Sequence, residues 1–451
     1  MNKYFAKYFI YGAGQFIRRE PVMNCLQEFE KTQYLNSEQL DNILSTKLVN
    51  LIDYAKENIP YYKNSFYGLQ LAKNDIKSSF SDFPFITKLN VRNNYDNLSV
   101  SKKNKFLITK KTSGGSTGQA VIVLKDRLST ASQRALMYRN YRWAGIDIGD
   151  KQVRFWGVPI NKTSRLKYKC IDYFMNRIRL SAFKFREDDL ERYYKKIIKF
   201  RPAYFYGYTS MLYEFAQFIK RRDLDGSKIS LKAIISTSEV LYDTQKNLLE
   251  EVFNCRVYNE YGCGEFGPIA FECEEGRMHI NSENIFVEII KNGKPVKPGE
   301  SGEIVLTELN NRVMPLIRYR MGDVGILSNE VCPCGRGLPI LEKIVGRALD
   351  FIVGSKGNKV HGEYFNYLME EIQGRTKAIK QFQIIQKKIG EIEFHIVKDI
   401  KFSPETITYI NEQLFKILGS DLKIKYQYTN EIKRQTSGKL RLVISELEIN
   451  K

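Results

Sequence analysis

Apolar residues recur at helical spacing early in the chain. Leu40, Ile43, Leu44, Leu48, Leu51, Ile52 and Tyr54-Ala55 fall on one face, which predicts an amphipathic helix. Ser37 is the expected N-cap, with Gln39-Leu40 in the first turn. Asn58-Ile59-Pro60-Tyr61-Tyr62 ends the helix, because the residue before a proline disfavours the helical region. Pro84–Lys88 reads as a connector, and residues 1–100 as mostly helical.

From residue 121 onward short apolar runs alternate with helical periodicity. Val121–Leu124, Gln152–Gly157, Ala203–Tyr208, Leu231–Ser236 and Cys255–Gly262 read as strands. Leu128–Ala144, Asp188–Phe200, Ser210–Arg222 and Asp243–Phe253 read as helices. Strands alternating with helices predict a parallel or mixed α/β sheet, in which ligands sit beyond the carboxyl ends of the strands. The segments 112–118, 206–210, 236–240 and 259–265 fall at such ends. After Asn284 the pattern becomes short strands and turns: Ile285–Ile290, the Asn292-Gly293 turn, Gly302–Thr307 and Leu316–Arg320. This predicts an antiparallel, barrel-like section. Beyond Gly346 a smaller α+β unit is expected, with strands near 351–353, 382–387, 391–397 and 423–429 and helices near 363–372 and 404–418. The expected domains are residues 1–346 and 347–451, the second small and mobile.

The length of 451 residues fits more than one core. Apolar content of 43% and charged content of 27% are those of a globular chain and exclude a disordered one. The net charge is +20. Between Arg154 and Arg201 fourteen Lys/Arg stand against five Asp/Glu. Such a stretch serves a polyanion, a membrane surface or nucleic acid, or is simply a solvated face. No run of 18 apolar residues exists, so no spanning helix is expected. The opening MNKYFAKYFIYGAGQFIRRE is amphipathic and lacks a signal-peptide core; packing on the body is expected of it, with a membrane surface as the alternative. Seven cysteines in a large chain do not suggest a disulfide scaffold, and a cytoplasmic location is expected.

Several stretches carry chemistry. Lys110–Ala120, KKTSGGSTGQA, packs Thr112, Ser113, Gly114, Gly115, Ser116, Thr117 and Gly118 together. Glycines let a backbone approach a ligand closely, and successive N–H groups form an anion-binding concavity. It is neither a GxxxxGK[ST] loop nor GxGxxG, and a plain flexible loop is the alternative. Asn259-Glu260-Tyr261-Gly262-Cys263-Gly264-Glu265 places a carboxylate after a tight turn, suited to Mg²⁺ near a triphosphate. Arg318–Asp323, Gly346-Arg347 and the Arg434–Lys439 segment each mean little alone.

In this order and spacing the chain resembles the adenylate-forming superfamily, and most nearly its phenylacetate–CoA ligase branch, including relatives encoded with capsule-polysaccharide genes. Thr112–Gly118 matches the phosphate loop, Tyr261–Glu265 YGxxE, Tyr319–Asp323 YRxGD, Gly346-Arg347 the hinge region and Gly438-Lys439 the terminal GK. Leu51–Tyr62 is similar to that branch's N-terminal signature. The resemblance covers essentially the whole chain.

The resemblance implies an acid–thiol ligase. It activates a carboxylic acid with ATP and Mg²⁺ as acyl-AMP, releasing pyrophosphate, and transfers the acyl group to CoA. By match Ser113, Gly114, Gly115, Ser116, Thr117 and Gly118 cradle the phosphates. Ser238, Glu239, Asn259, Glu260, Tyr261 and Gly262 line the adenine, Asp323 holds the ribose and Arg347 lies nearby. Glu265 binds Mg²⁺, and Lys439 bridges carboxylate and α-phosphate. The acyl pocket is expected around Trp156, Tyr206, Gly207 and Gly264. Two departures stand out: Gly114 occupies a position where the family usually has a hydroxyl, and Leu349 takes the usual hinge Asp position, with the Asp at Asp350.

A second constellation is Cys273, His279, Cys332 and Cys334. Three thiols and an imidazole suit a tetrahedral structural Zn²⁺. The 52 residues between the pairs must then be brought together by folding; otherwise they are four unlinked residues with thiols buried as small hydrophobes. Two alternatives to the CoA ligase stay open. One is an adenylating amide synthetase or acyl transferase that works in surface-polysaccharide assembly without CoA, touching a membrane-linked glycan peripherally. The other is a non-catalytic module for nucleic acid or another polyanion.

Overall fold

A computed structural model describes residues 2–72, 75–101, 107–112, 121–156, 162–181, 187–347, 351–357, 359–361, 364–365, 368–369, 372, 378–433 and 441–447. The chain forms two compact units, residues 1–321 with 325–344, and residues 322–324 with 345–451.

The large unit is built on one mixed sheet of twelve strands among the described residues. Five strands lie side by side and parallel: Arg177–Ser181, Gln152–Trp156, Tyr204–Tyr208, Ala233–Thr237 and Arg256–Cys263. Helices Lys162–Phe174, Glu187–Phe200, Thr209–Arg221 and Asp243–Phe253 connect them in turn. The central strands are buried along nearly their whole length; Ala233–Thr237 is buried at every position, as expected of strands covered on both faces. Phe155, Phe205, Phe215 and Phe253 form one core on this half. From Arg256–Cys263 the sheet continues antiparallel through Gly267–Glu272, Met278–Ile280 and Ile340–Arg347. Next come Tyr319–Ser328, Ser301–Glu308, Ile285–Lys291 and the short Lys294-Pro295. The expected barrel-like section is thus the antiparallel half of the same sheet.

The first hundred residues are helical, as the periodicity predicted. The cap of the helix Ser37–Asn58 is Asn36 rather than Ser37: its side chain accepts from the Gln39 N–H, and the Gln39 side chain reaches back to the Asn36 N–H. This reciprocal box satisfies two otherwise orphaned donors. Its buried face, Leu44, Leu48, Leu51, Ile52 and Ala55, packs with Ile269, Ile280, Leu306 and Tyr319 from the sheet. Pro60 opens the next helix at its first position, where a missing N–H costs nothing.

Among the elements that escaped the sequence pattern are the helix Lys162–Phe174 and the strands Thr109–Thr112, Arg177–Ser181, Gly267–Glu272, Met278–Ile280 and Ile340–Arg347. The helix has exposed apolar residues at Leu166, Ile171, Tyr173 and Phe174, so its periodicity does not mark a core. The expected strand Leu316–Arg320 begins instead at Tyr319. Arg318 has φ +49°, a left-handed conformation that interrupts extended backbone.

In the small unit Lys423–Tyr428, Glu391–Lys398, Ile379–Lys388 and Val443–Ser445 form a four-stranded sheet. The helix Pro404–Leu418 contributes Ile410, Leu414 and Leu418 to its core. The buried Gln386 amide bonds both the N–H and the C=O of Val353, at 2.7 and 2.8 Å, and so pins the strand Phe351–Val353. The second segment expected to be helical, 363–372, is only partly described.

Candidate functional site

The carboxyl ends of the parallel strands converge as expected. Tyr208 ends one strand and Thr237 the next, and the loops that follow are tied to each other. The hydroxyls of Thr209 and Ser236 lie 2.7 Å apart. Thr209 also donates to the Glu239 carbonyl oxygen at 3.3 Å. The Glu239 carboxylate accepts from the Ser210 N–H at 2.7 Å, capping a helix whose own N-cap residue, Tyr208, does not cap it with its side chain. A carboxylate there is favoured by the helix dipole. Between these anchors Ser238 adopts φ +70°. A non-glycine residue held left-handed costs about 1–3 kcal/mol and persists where its surroundings impose it.

On the neighbouring strand Glu260 is buried and accepts from the Tyr206 hydroxyl at 3.1 Å; burial pushes its carboxyl above the usual range, against hydrogen bonds from Tyr206, Thr237 and Tyr141 and the charge of Arg154. The Asn259 N–H donates to Glu272 at 3.0 Å. Gly262 lies where a Cβ would meet the Gly267 carbonyl oxygen at 2.7 Å, so the turn carrying Gly264 and Glu265 closes only around a glycine. Glu265 is buried, and Tyr319 donates to its Oε1 at 3.3 Å. Two motifs far apart in sequence thereby meet. A buried carboxylate at the tip of a hairpin fits the oxygen-donor chemistry of Mg²⁺. Asp323 lies one residue after Gly322, whose φ is +76°.

In the expected acyl region Trp156 stacks on Tyr206 and lies against Tyr208, with ring centres 5.6 and 4.2 Å apart. Gly207 is a packing residue: a Cβ there would meet the Cβ and carbonyl oxygen of Phe155 at 2.6 and 2.8 Å. Sequence reasoning missed Arg154. Its guanidinium lies 4.6 Å from the Trp156 ring and 4.8 Å from the Tyr206 ring, and its buried Nε–H has no hydrogen-bond partner among the described residues. A charged residue inside an apolar strand was the available signal. Also missed was Lys125, which forms a fully buried ion pair with Glu308; Glu308 accepts in addition from Ser129 at 2.6 Å and Gln133 at 3.0 Å.

The segment 113–120 and Lys439 lie outside the described residues, as do Leu349 and Asp350. What is described is the frame of the glycine segment: Thr109–Thr112 pairs antiparallel with Ile122–Lys125, Thr112 opposite Ile122. Arg347 closes the strand Ile340–Arg347.

The cysteines and histidine do come together. The ligand atoms of Cys273, His279, Cys332 and Cys334 all lie within 4.8 Å of one another. The Cys273 and Cys332 sulfurs are 3.6 Å apart, and Cys334 Sγ lies 3.3 Å from His279 Nε2. Zinc bonds of about 2.3 Å to sulfur and about 2.0 Å to nitrogen give tetrahedral edges of about 3.8 and about 3.5 Å. His279 Nδ1 faces the Leu338 carbonyl oxygen at 3.0 Å, which fixes the N–H there and leaves Nε2 as the donor atom. The Glu275 N–H points at Cys273 Sγ at 3.4 Å. The donor set and its spacing fit Zn²⁺.

Comparison with known proteins agrees with this frame. Residues 352–446 match the CapK C-terminal domain family. Over 447 residues the chain is 25% identical to Protein CapK of Staphylococcus aureus, covering 96% of this chain and 95% of that one. It is 23% identical to a phenylacetate–coenzyme A ligase of Aromatoleum evansii, covering 92% and 97%. The chain is a relative of CapK and of the phenylacetate–coenzyme A ligases. Its fold is that of a 2-hydroxyisobutyryl-CoA ligase crystallised with an acyl-AMP in the postadenylation state, with a TM-score of 0.73, 18% identity and coverage of 93% and 92%. The matches to ligases over most of the chain and the acyl-CoA ligase fold support an adenylate-forming ligase. No helix among the described residues is long and apolar enough to cross a membrane.

Proposed function

We propose that this protein activates a carboxylic acid by attack of the carboxylate on the α-phosphorus of ATP, with pyrophosphate as leaving group, and then passes the acyl group to the thiol of CoA. The observation that carries this reading is the meeting of Glu265 and Tyr319, which joins the Tyr261–Glu265 and Tyr319–Asp323 motifs at one point of the sheet. In-line attack of one anion on another needs charge neutralisation rather than covalent help. In this reading Mg²⁺ on Glu265 supplies part of that charge and Lys439 the rest. The loops holding Ser238, Glu239 and Asn259 border the adenine, Asp323 takes the ribose hydroxyls, and the 113–118 segment takes the phosphates. Residues 347–451 act as the mobile part that brings Lys439 in for the first step.

Arg154 bears on the acid. The half-buried Arg154 side chain against Trp156 and Tyr206, with a buried Nε–H that no described residue accepts, favours an acid carrying a further hydrogen-bond acceptor over a bare aryl acid. The same proposal includes a structural Zn²⁺ on Cys273, His279, Cys332 and Cys334, which fastens the loop before Ile340 to the hairpin Gly267–Ile280.

The test is pyrophosphate release from ATP and Mg²⁺ across aryl, hydroxylated and dicarboxylic acids, with and without CoA. Acid-dependent release that rises with CoA and yields a thioester supports the reading. Acid-dependent release indifferent to CoA redirects the second step to an amine or sugar acceptor. No release with any acid, together with no ATP binding by calorimetry, overturns it.

A further inference from the structure

The opening helix is amphipathic in the reverse sense. Its turns Lys3–Phe5, Ala6–Tyr11 and Gly12–Arg18 run on from one another. The polar side faces the body: Lys3 pairs with Asp150 at 3.0 Å and Lys7 with Asp147 at 2.6 Å. Ala6 is fully buried, and the Lys3 carbonyl oxygen comes so close to Gly149 that a Cβ there would sit 2.4 Å from it. Tyr11 packs edge-on to Tyr138. The aromatic side faces out. Tyr4, Phe5, Tyr8, Phe9, Phe16 and Ile17 are 48–85% exposed, in adjacent pairs four residues apart, with Gly12-Ala13 completing the row. Residues four apart drift by about 40° per step on a regular helix. The wider i→i+5 turn at Ala6–Tyr11 drifts the other way and keeps the pairs in one stripe.

A second helix repeats the arrangement. In Lys162–Phe174 the buried Asp172 pairs with Arg177 and Arg179, while Leu166, Ile171, Tyr173 and Phe174 are exposed. Both segments border one turn: the first packs on Gly149, and Asn176, just past the second, donates to the Gly149 carbonyl oxygen at 2.7 Å. Their charge is of one sign. With Lys3 and Lys7 turned to the body and Asp172 paired, the exposed charged side chains among the described residues of the two segments are Arg18, Arg19 and Lys169, all cationic. A stripe of this size on a globular protein marks an interaction surface.

We propose that this surface seats the protein on an anionic lipid bilayer, with the first helix lying in the interface plane. Tyrosine and phenylalanine suit the boundary between headgroup and acyl chain, and an in-plane helix buries its apolar side about 5–10 Å deep. The charge decides between occupants. A second copy meeting this face across a two-fold axis would set like patch against like patch, cations against cations, whereas anionic headgroups complement them.

The test is flotation of the full chain with phosphatidylcholine vesicles and with vesicles containing phosphatidylglycerol. Binding to the anionic vesicles that falls at least tenfold in high salt is expected, with little binding to the neutral ones. Phe9→Glu with Phe16→Glu should reduce it at least tenfold without moving the unfolding midpoint. Phe9→Trp should keep it and show a blue-shifted emission, relative to wild type, on vesicle addition. No vesicle binding, or equal binding by the double variant, overturns the proposal. So does a concentration-dependent dimer abolished by the same two substitutions with no vesicle binding, which gives the face to a second copy.

Discussion

The hydroxyl of Tyr319 donates to Oε1 of Glu265 across a sequence separation of 54 residues. Tyr319 is itself fixed: its N-terminal neighbour Arg318 is buried, bonds Glu288 through Nε and Nη2 at 3.1 and 2.9 Å, and reaches the Phe83 carbonyl oxygen at 2.6 Å. The strand therefore holds the phenol in place and the phenol orients the carboxylate. Tyr319→Phe keeps the ring and removes one hydrogen bond, worth about 0.5–1.5 kcal/mol. The expected outcome is about a three- to tenfold higher Mg²⁺ requirement for pyrophosphate release, with the far-UV spectrum unchanged. An unchanged Mg²⁺ titration would show that Glu265 needs no such orientation.

Lys125 and Glu308 form an ion pair with both side chains fully buried. Removing one partner of such a pair strands the other charge, at a cost of about 3–5 kcal/mol. Lys125→Met should therefore lower the unfolding free energy by about that amount. Lys125→Met combined with Glu308→Gln should recover most of it, because Ser129 and Gln133 can still bond the amide. Denaturant titration of the three variants measures this. Additive losses in the double variant would mean that the two residues act independently.

This pair also marks the boundary of what the sequence reveals. The α/β alternation was readable because Tyr204–Tyr208 and Ala233–Thr237 are buried runs separated by amphipathic helices, and the pattern needs only local periodicity. The cysteines and His279 were readable as a set from chemistry, since few other ligands exist; their convergence needed the pairing of His279 with Ile340 in register. Lys125 and Glu308 lie 183 residues apart, and neither carries a local sign of its partner. Arg154 shows itself only as a charge within an apolar run. The helix Lys162–Phe174 was missed because its apolar residues point to solvent, and the left-handed Arg318 because nothing in an Ile-Arg-Tyr triplet announces a turn.

Glu260 gives a pH test. Its folded carboxyl value is raised by burial, so the native state keeps a proton that the unfolded chain has already released. The unfolded state then binds fewer protons, and stability falls as pH rises from the unfolded glutamate value of about 4.3 through the raised folded value. Glu260→Gln removes that segment while keeping an acceptor for Tyr206. Wild type should lose more stability than the variant between pH 4.5 and 7, at about 1.4 kcal/mol per pH unit at most. Parallel curves would show that Glu260 is ionised at no cost.

Lys439 separates the two half-reactions. If it bridges carboxylate and α-phosphate, Lys439→Ala should abolish pyrophosphate release, a loss of at least about a hundredfold by analogy with other transition-state donors. The same variant should still transfer the acyl group from a synthetic acyl-adenylate at a rate near wild type. Equal loss in both assays would remove its assigned part in the first step.

The four side chains proposed to hold zinc come from two distant segments, so the metal's part would be structural. Cys332 and Cys334 sit in the loop that leads to Ile340, and that loop is pressed on the main body where Gly337 leaves no room for a Cβ against the Leu35 carbonyl oxygen at 1.9 Å. The Gly337 N–H also donates to Gln33 at 3.0 Å. A metal here would hold the loop in that seat, so its removal should loosen the loop rather than stop the chemistry directly. Protein purified without added zinc should carry about one equivalent per chain by elemental analysis. Cys332→Ser should drop that to near zero and lower the unfolding temperature, and a chelator should make Cys334 reactive to a thiol reagent in the wild type. Because bound thiolates are deprotonated, zinc release should set in as pH falls and should be reversed by added metal at neutral pH. Metal-free protein of unchanged stability in the Cys332→Ser variant would return the four residues to ordinary packing.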